Sequence, residues 1–225
     1  MKDTKAMPWQ EERRAVWEAH QEMLLKGLVV ADSGNVSLRL ADTDGHDLLA
    51  ITPSKRNLHK LTVEDIVVID FDGNPVEGEL LPSIESMMHI EIYKGRKEVH
   101  SVVHTHSIYA SSLAVAGMSL PAILDEMVVN TGGEVRVADY GFPSTDDLAR
   151  NAVAALRDRR AALLRNHGVV CVGASVQSAL SLSELVERAA HIYVLSKLMG
   201  SPNTLPEGII EVEKNIYRMM NSQVH

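Results

Sequence analysis

Val99-His100-Ser101-Val102-Val103-His104-Thr105-His106 is an apolar run that closes on two histidines one residue apart. Its β-branched residues predict a strand. Side chains alternate faces along a strand, so His104 and His106 point the same way and both imidazoles reach one ion. His100 shares that parity but lies too far down the strand to join them. A second set stands elsewhere in the chain, with Glu85 in Pro82-Ser83-Ile84-Glu85 and His167 in Arg165-Asn166-His167-Gly168. Three histidines and one carboxylate are ligand types that a catalytic zinc uses. If the four converge, the protein is a metalloenzyme.

Each of these residues alone has a plainer explanation. A His-x-His pair also fits two half-buried hydrogen-bonding side chains. A histidine before glycine also fits a turn, and an acid in a first helical turn is expected from the helix dipole. The combination points to a site, because each candidate falls at a strand edge or a helix start. Of the other histidines, His20 and His191 fall in helices, His46 falls in a turn, and His89 follows Glu85 by one helical turn and can approach from behind.

Outward from that strand the order of elements predicts one α/β domain. Trp9 to Lys26 reads as an amphipathic helix stopped by Gly27, Leu28-Val29-Val30 as a short strand, and Asn35 to Leu40 with Leu48 to Thr52 as a hairpin around Asp42-Thr43-Asp44-Gly45. Ile66 to Phe71 is a strand ending at the Asp72-Gly73-Asn74-Pro75 turn. Ser83 is placed as the N-cap of a helix through Lys94, and Ser107 as the cap of Ile108 to Ala116. Glu134 to Ala138, Ala161 to Arg165 and Val169 to Val172 are strands. Thr145 to Arg157 and Val176 to Met199 are helices, and the tail from Gly200 ends in a helical pattern. Hairpins mixed with helical connections argue against a purely parallel sheet.

The 225 residues are 45% hydrophobic and 23% charged, which suffices for a substantial core, although aromatics are only 4% and aliphatic side chains must fill it. A net charge of −8 argues against nucleic acid as partner. The single cysteine, Cys171, excludes an intramolecular disulfide and fits a reducing compartment. No apolar run has the length of a membrane span, and the polar start of the chain lacks a secretory signal, so a cytoplasmic protein is expected. Three small polar stretches, Asp32 to Ser37, Ile51 to Lys55 and Pro82-Ser83, fit either an anion site or ordinary turns.

Taken together, Gly34-Asn35-Val36-Ser37, Ile51-Thr52-Pro53-Ser54, Pro82-Ser83-x-Glu85, Val103-His104-Thr105-His106, Gly132-Gly133 and Asn166-His167-Gly168 resemble the class II aldolase/adducin-head family, in the family's own order. The resemblance implies an α/β/α layered domain around a central mixed, largely antiparallel sheet. It also implies a homotetramer with sites at subunit interfaces. It implies Zn2+, or Mn2+ or Co2+, on His104, His106 and His167, with Glu85 both ligand and acid/base. A sugar phosphate would then be bound by Gly34, Asn35, Thr52, Ser54, Lys55 and Ser83. Tyr217 in the tail would be the mobile aromatic covering a neighbouring site. Glu85 in place of an epimerase-type Asp favours aldol cleavage of a ketose 1-phosphate to dihydroxyacetone phosphate and an aldehyde. Relatives with the same metal site epimerise, decarboxylate or dehydrate sugar phosphates, and adducin heads are interaction modules. Three positions depart from the fuculose-type pattern: Ile84 replaces a serine, Lys55 a glycine and Asp125 a tyrosine.

Overall fold

The computed structural model describes residues 8–40, 45–54 and 60–222. Among them the strands are β1 (Asn35–Leu40), β2 (Leu48–Ile51), β3 (Val67–Asp70), β4 (Pro75–Glu77), β5 (Ser101–Thr105), β6 (Arg136–Ala138), β7 (Ala161–Leu164) and β8 (Gly168–Gly173). They form one sheet in the order β4-β3-β2-β1-β5-β8-β7-β6. Every neighbouring pair is antiparallel except β6 with β7, which is parallel. The sheet is thus mixed and largely antiparallel, as the sequence predicts.

The helices are α1 (Gln10–Leu25), α2 (Ser86–Gly95), α3 (Ile108–Ala116), α4 (Asp125–Thr131), α5 (Asp146–Leu156), α6 (Val176–Met199) and α7 (Glu207–Ser222). Strand parity assigns the two faces. Val102, Val170 and Val172 join Met88, Ile92 and Leu148 of α2 and α5 on one side. Val103, Val169 and Cys171 point the other way, toward α1, α3 and α6. Side chains buried on both faces give an α/β/α arrangement without many aromatics, each buried aliphatic contributing about 1.5–3 kcal/mol. Cys171 is one of these core residues, and burial pushes its thiol up to about 12. No helix among the described residues is long and apolar enough to cross a membrane.

The structure departs from the sequence reading at several points. Leu28-Val29-Val30 is not a strand: the Leu28 N–H donates back to the Met23 carbonyl at 2.9 Å, and the Leu28 carbonyl accepts from the His106 N–H at 3.1 Å. Its backbone is therefore committed to the end of α1 and to the loop after β5. Helix α2 starts at Ser86, not Ser83, because Ser83 first extends the chain by donating its N–H to the Thr52 carbonyl. Ser107 sits at the N-terminus of α3 without a side-chain cap; the Glu187 carboxylate on α6 accepts from the Tyr109 and Ala110 N–H groups instead, at 2.9 Å each. Strand β4 and helix α4 were not expected, being too short for a clear period. Asp42, Thr43 and Asp44 of the expected turn lie outside the described residues.

Helix α7 returns across the sheet's edge to α4. Tyr217 is buried there, and its hydroxyl donates to the Asp158 carbonyl at 2.6 Å. The ring lies flat on Gly132, whose φ of +87° suits glycine and whose added Cβ would stand 2.9 Å from a ring carbon. Gly132→Ala is therefore expected to cost about 2–4 kcal/mol in strain and overpacking, seen in thermal unfolding as a Tm lower by roughly 5–15 °C. An unchanged Tm would show that α7 does not dock on this glycine.

Candidate metal centre

Antiparallel pairing brings the ends of four strands to one edge of the sheet. Asn35 at the start of β1 pairs with His104, and Thr105 at the end of β5 pairs with Val169 near the start of β8. His104 has the parity of Val102 and faces α2. His106 lies one residue past the strand and turns its ring to the same place. His167 closes the β7–β8 hairpin, whose three-residue loop needs the left-handed φ of +57° that Asn166 supplies.

The three rings meet edge to face, with centroids 4.8–4.9 Å apart. One nitrogen from each lies within 4.8 Å of the others. His104 Nδ1 is 3.0 Å from the Val169 carbonyl, which can only accept, so Nδ1 carries the hydrogen and Nε2 turns a lone pair inward. That lone pair is 2.9 Å from His106 Nε2. Burial pushes the fully enclosed His104 down to about 3 and also lowers His106, so these imidazoles are neutral at neutral pH. Neutral, inward-facing imidazole nitrogens are what a divalent cation requires.

Glu85, at the N-terminus of α2, covers the cluster. Its Oε1 is 3.0 Å from His167 Nε2 and its Oε2 is 3.3 Å from His104 Nε2. Oε2 also accepts from Asn35 Nδ2 at 2.8 Å, whereas Oε1 is buried without a hydrogen-bond partner. Burial opposes ionisation of this carboxyl, but the adjoining His167 and the donated hydrogen bond from the Asn35 amide hold it well below the usual carboxylate range. An anionic oxygen with a free lone pair, next to three imidazole nitrogens, fits a metal site in donor type and charge.

A cleft of about 400 Å³ opens beside it, walled by Gly34, Asn35, Ser54, Ser83, Glu85, His106 and His167. Asp32, Ser33 and Pro53 from the polar stretches also line it, as do Val30, Ala31, Ile84 and Pro143, of which the sequence reading singled out only Ile84, as a departure from the fuculose-type pattern. Thr52 is not on the cleft surface; its hydroxyl accepts from the Val36 N–H at 3.2 Å, inside the sheet. Asn35 is on the wall, yet its amide is engaged by Glu85 and His89. Lys55 lies outside the described residues. Tyr217 belongs to the opposite end of β7, beside Asp158, so within this chain it does not reach the cleft. His89 hydrogen-bonds Asn35 and Ser37, and through Asn35 it is linked to Glu85. The buried chain from His89 onward through Ser37 and Tyr93 was not foreseen.

The fold is an α/β one with a cluster of three histidines and a carboxylate at the strand ends, and the comparisons place it in an enzyme family. Residues 14–194 match the family described as Class II Aldolase and Adducin N-terminal domain. A 5-deoxy-D-ribulose 1-phosphate aldolase of Bacillus thuringiensis is 36% identical over 90% of this chain and 93% of its own. A 5-methylthioribulose-1-phosphate/5-deoxyribulose-1-phosphate aldolase of Rhodospirillum rubrum is 33% identical over 88% and 87%. Among solved structures, an L-fuculose 1-phosphate aldolase superimposes with a TM-score of 0.86 at 36% identity, over 92% of this chain and 96% of that one. The chain belongs to the class II aldolase/adducin N-terminal family, on its carbon–carbon lyase side.

Gly168 follows His167 because nothing larger fits. A Cβ there would lie 2.3 Å from the Thr105 carbonyl and 3.1–3.2 Å from ring carbons of His106 and His104. Gly168→Ala must part β8 from β5 and push the rings. Purified variant protein is expected to retain less than about a tenth of the metal held by the parent, as outer perturbations of metal sites cost 10- to 100-fold in affinity. Equal metal content in the two proteins would contradict this account of the centre.

Proposed function

We propose that the chain is a zinc-dependent aldolase. It reversibly cleaves a phosphorylated ketose, a 1-phosphate with a deoxy or thio tail, to dihydroxyacetone phosphate and an aldehyde. One observation carries the reading: an ionised carboxylate, Glu85, held by one oxygen over three converging imidazoles at the wall of an open cleft. A divalent cation on His104, His106 and His167, zinc or else Mn2+ or Co2+, would supply electrophilic pull on the substrate carbonyl.

The chain's own residues do the rest. In cleavage the C4 hydroxyl loses its proton as the C3–C4 bond breaks, and the enediolate carbon C3 gains one; Glu85, ionised at rest, takes up a proton through Oε1 and delivers it to C3, and takes it back from C3 in the condensation direction. Asn35 keeps that carboxylate in place. Ser54 and Ser83 line the cleft, and their hydroxyls suit a phosphate. Val30, Ile84 and Pro143 give the wall an apolar stretch, which supports a tail lacking hydroxyls, as in the substrates for which the B. thuringiensis and R. rubrum relatives are named. Exposed Leu195, Leu198 and Met199 on α6, and Ile216 and Met219 on α7, support a homotetramer. A lone buried cysteine supports a cytoplasmic location.

The test is a panel of ketose 1-phosphates with coupled detection of dihydroxyacetone phosphate. Release from a 5-deoxy or 5-methylthio pentulose phosphate is expected. Glu85→Gln should keep its metal and lose about 10²- to 10⁴-fold in rate. Products that are epimers, or carbon dioxide, in place of dihydroxyacetone phosphate would replace the aldolase reading, and a near-normal rate in Glu85→Gln would remove Glu85 from the proton transfer.

A further inference from the structure

Glu85, His89 and Tyr93 lie four residues apart, on one stripe of α2. Asn35 and Ser37 lie two apart on β1, facing that stripe. Four helical residues advance about 6 Å and two strand residues about 6.6 Å, so the two sets keep step and interleave. Glu85 Oε2 is 2.8 Å from Asn35 Nδ2, Asn35 Oδ1 is 2.5 Å from His89 Nε2, His89 Nδ1 is 2.7 Å from Ser37 Oγ, and Ser37 Oγ is 2.7 Å from the Tyr93 hydroxyl. All five residues are buried.

The polarity of this line follows from its first member. An ionised carboxylate only accepts, so Asn35 presents its NH2 to Glu85. The Asn35 carbonyl oxygen then faces His89 and also only accepts, so Nε2 of the ring carries the hydrogen. A neutral imidazole has one N–H, so Nδ1 accepts and the Ser37 hydroxyl donates to it. With that hydrogen used, the Ser37 oxygen accepts from the Tyr93 hydroxyl. Burial pushes His89 down to about 3, which agrees with a neutral ring.

We propose that His89 is a positioning residue for the acid/base carboxylate: its Nε2–H fixes the Asn35 amide in the one orientation that offers an N–H to Glu85. This rests on Glu85 as the proton-transfer group. Were the His89 donor missing, the Asn35 amide is free to turn its oxygen toward Glu85. Oxygen would then face carboxylate oxygen, and Glu85 would lose the Asn35 amide donor. The other end of the line is anchored, since the Arg39 guanidinium stacks over the Tyr93 ring at 5.1 Å and donates to the Tyr93 carbonyl.

The test compares His89→Leu, which lacks a donor, with His89→Gln, whose amide N–H reaches about as far as Nε2. Metal-loaded His89→Leu is expected to lose about 10- to 100-fold in kcat, with KM within about 2-fold, as for a lost hydrogen bond to a charged pair. His89→Gln is expected to recover most of that loss. Equal kcat losses in the two variants, or a kcat in His89→Leu within about 2-fold of the parent, overturn the proposal. If His89→Leu does not fold, Ser37→Ala carries the same comparison, because it takes the donor from Nδ1 and lets the tautomer invert. Imidazole nitrogen NMR of the parent protein gives a readout independent of turnover. A neutral Nε2–H tautomer for His89 is expected, and an Nδ1–H tautomer or an imidazolium overturns the proposal. Absence of dihydroxyacetone phosphate from the parent enzyme would defeat the aldolase reading while leaving the NMR result to judge the line of hydrogen bonds.

Discussion

The antiparallel pairing of β5 between β1 and β8 is the constraint on which the rest depends. It sets Asn35 beside His104 and Thr105 beside Val169, and so gathers a strand start, a strand end and a hairpin tip at one edge. A shift of one residue in either pairing would turn His104 into the opposite core. Valines are buried on both faces of β5 and β8, so apolar burial alone does not select this register. Polar contacts that exist only in it, Ser101 Oγ to the Ser37 carbonyl and His104 Nδ1 to the Val169 carbonyl, and the three-residue β7–β8 loop help to pin it.

On that frame the site divides its labour between rigid and releasable parts. The imidazoles come from strand ends and a hairpin tip, where the backbone is bonded on both sides. Glu85 comes from the N-terminus of α2, where its carboxylate reaches the cluster yet depends on one side-chain amide for its orientation. The proposed acid/base role needs this mixture of order and freedom, and a carboxylate's two oxygens offer more lone pairs than its neighbours here use. Oε2 is tethered by the Asn35 amide, while Oε1 faces His167 Nε2 at 3.0 Å.

Much of this was legible in the sequence, for identifiable reasons. The His104/His106 parity follows from the period of a strand, and it survives although His106 lies just beyond β5. A turn at His167-Gly168 is among the plain readings of the sequence, but the left-handed φ of Asn166 and the close approach at Gly168 come only with the structure. Less legible were contacts between elements distant in sequence. Nothing local to Asn35 shows that its amide faces Glu85 and His89, because that depends on a helix and a strand advancing at matching rates. Thr52 looked available for a ligand because its hydroxyl bond to Val36 is made only once β1 and β2 pair. Ser83 looked like a helix cap because the competing bond to Thr52 is a tertiary one. Within this chain Tyr217 packs on Gly132 and bonds the Asp158 carbonyl, contacts set by how α7 returns to α4 and not visible in the sequence. Short elements such as β4 and α4 carry too few residues for a period to appear.

The convergence of His104, His106 and His167 on a single cation is tested most directly by anomalous diffraction from crystals of the purified protein at a metal absorption edge. The account predicts one strong peak per chain, about 2.0–2.1 Å from Nε2 of each of the three histidines if the ion is zinc. A map with no peak among these rings, or with the rings turned away from one another, would contradict it.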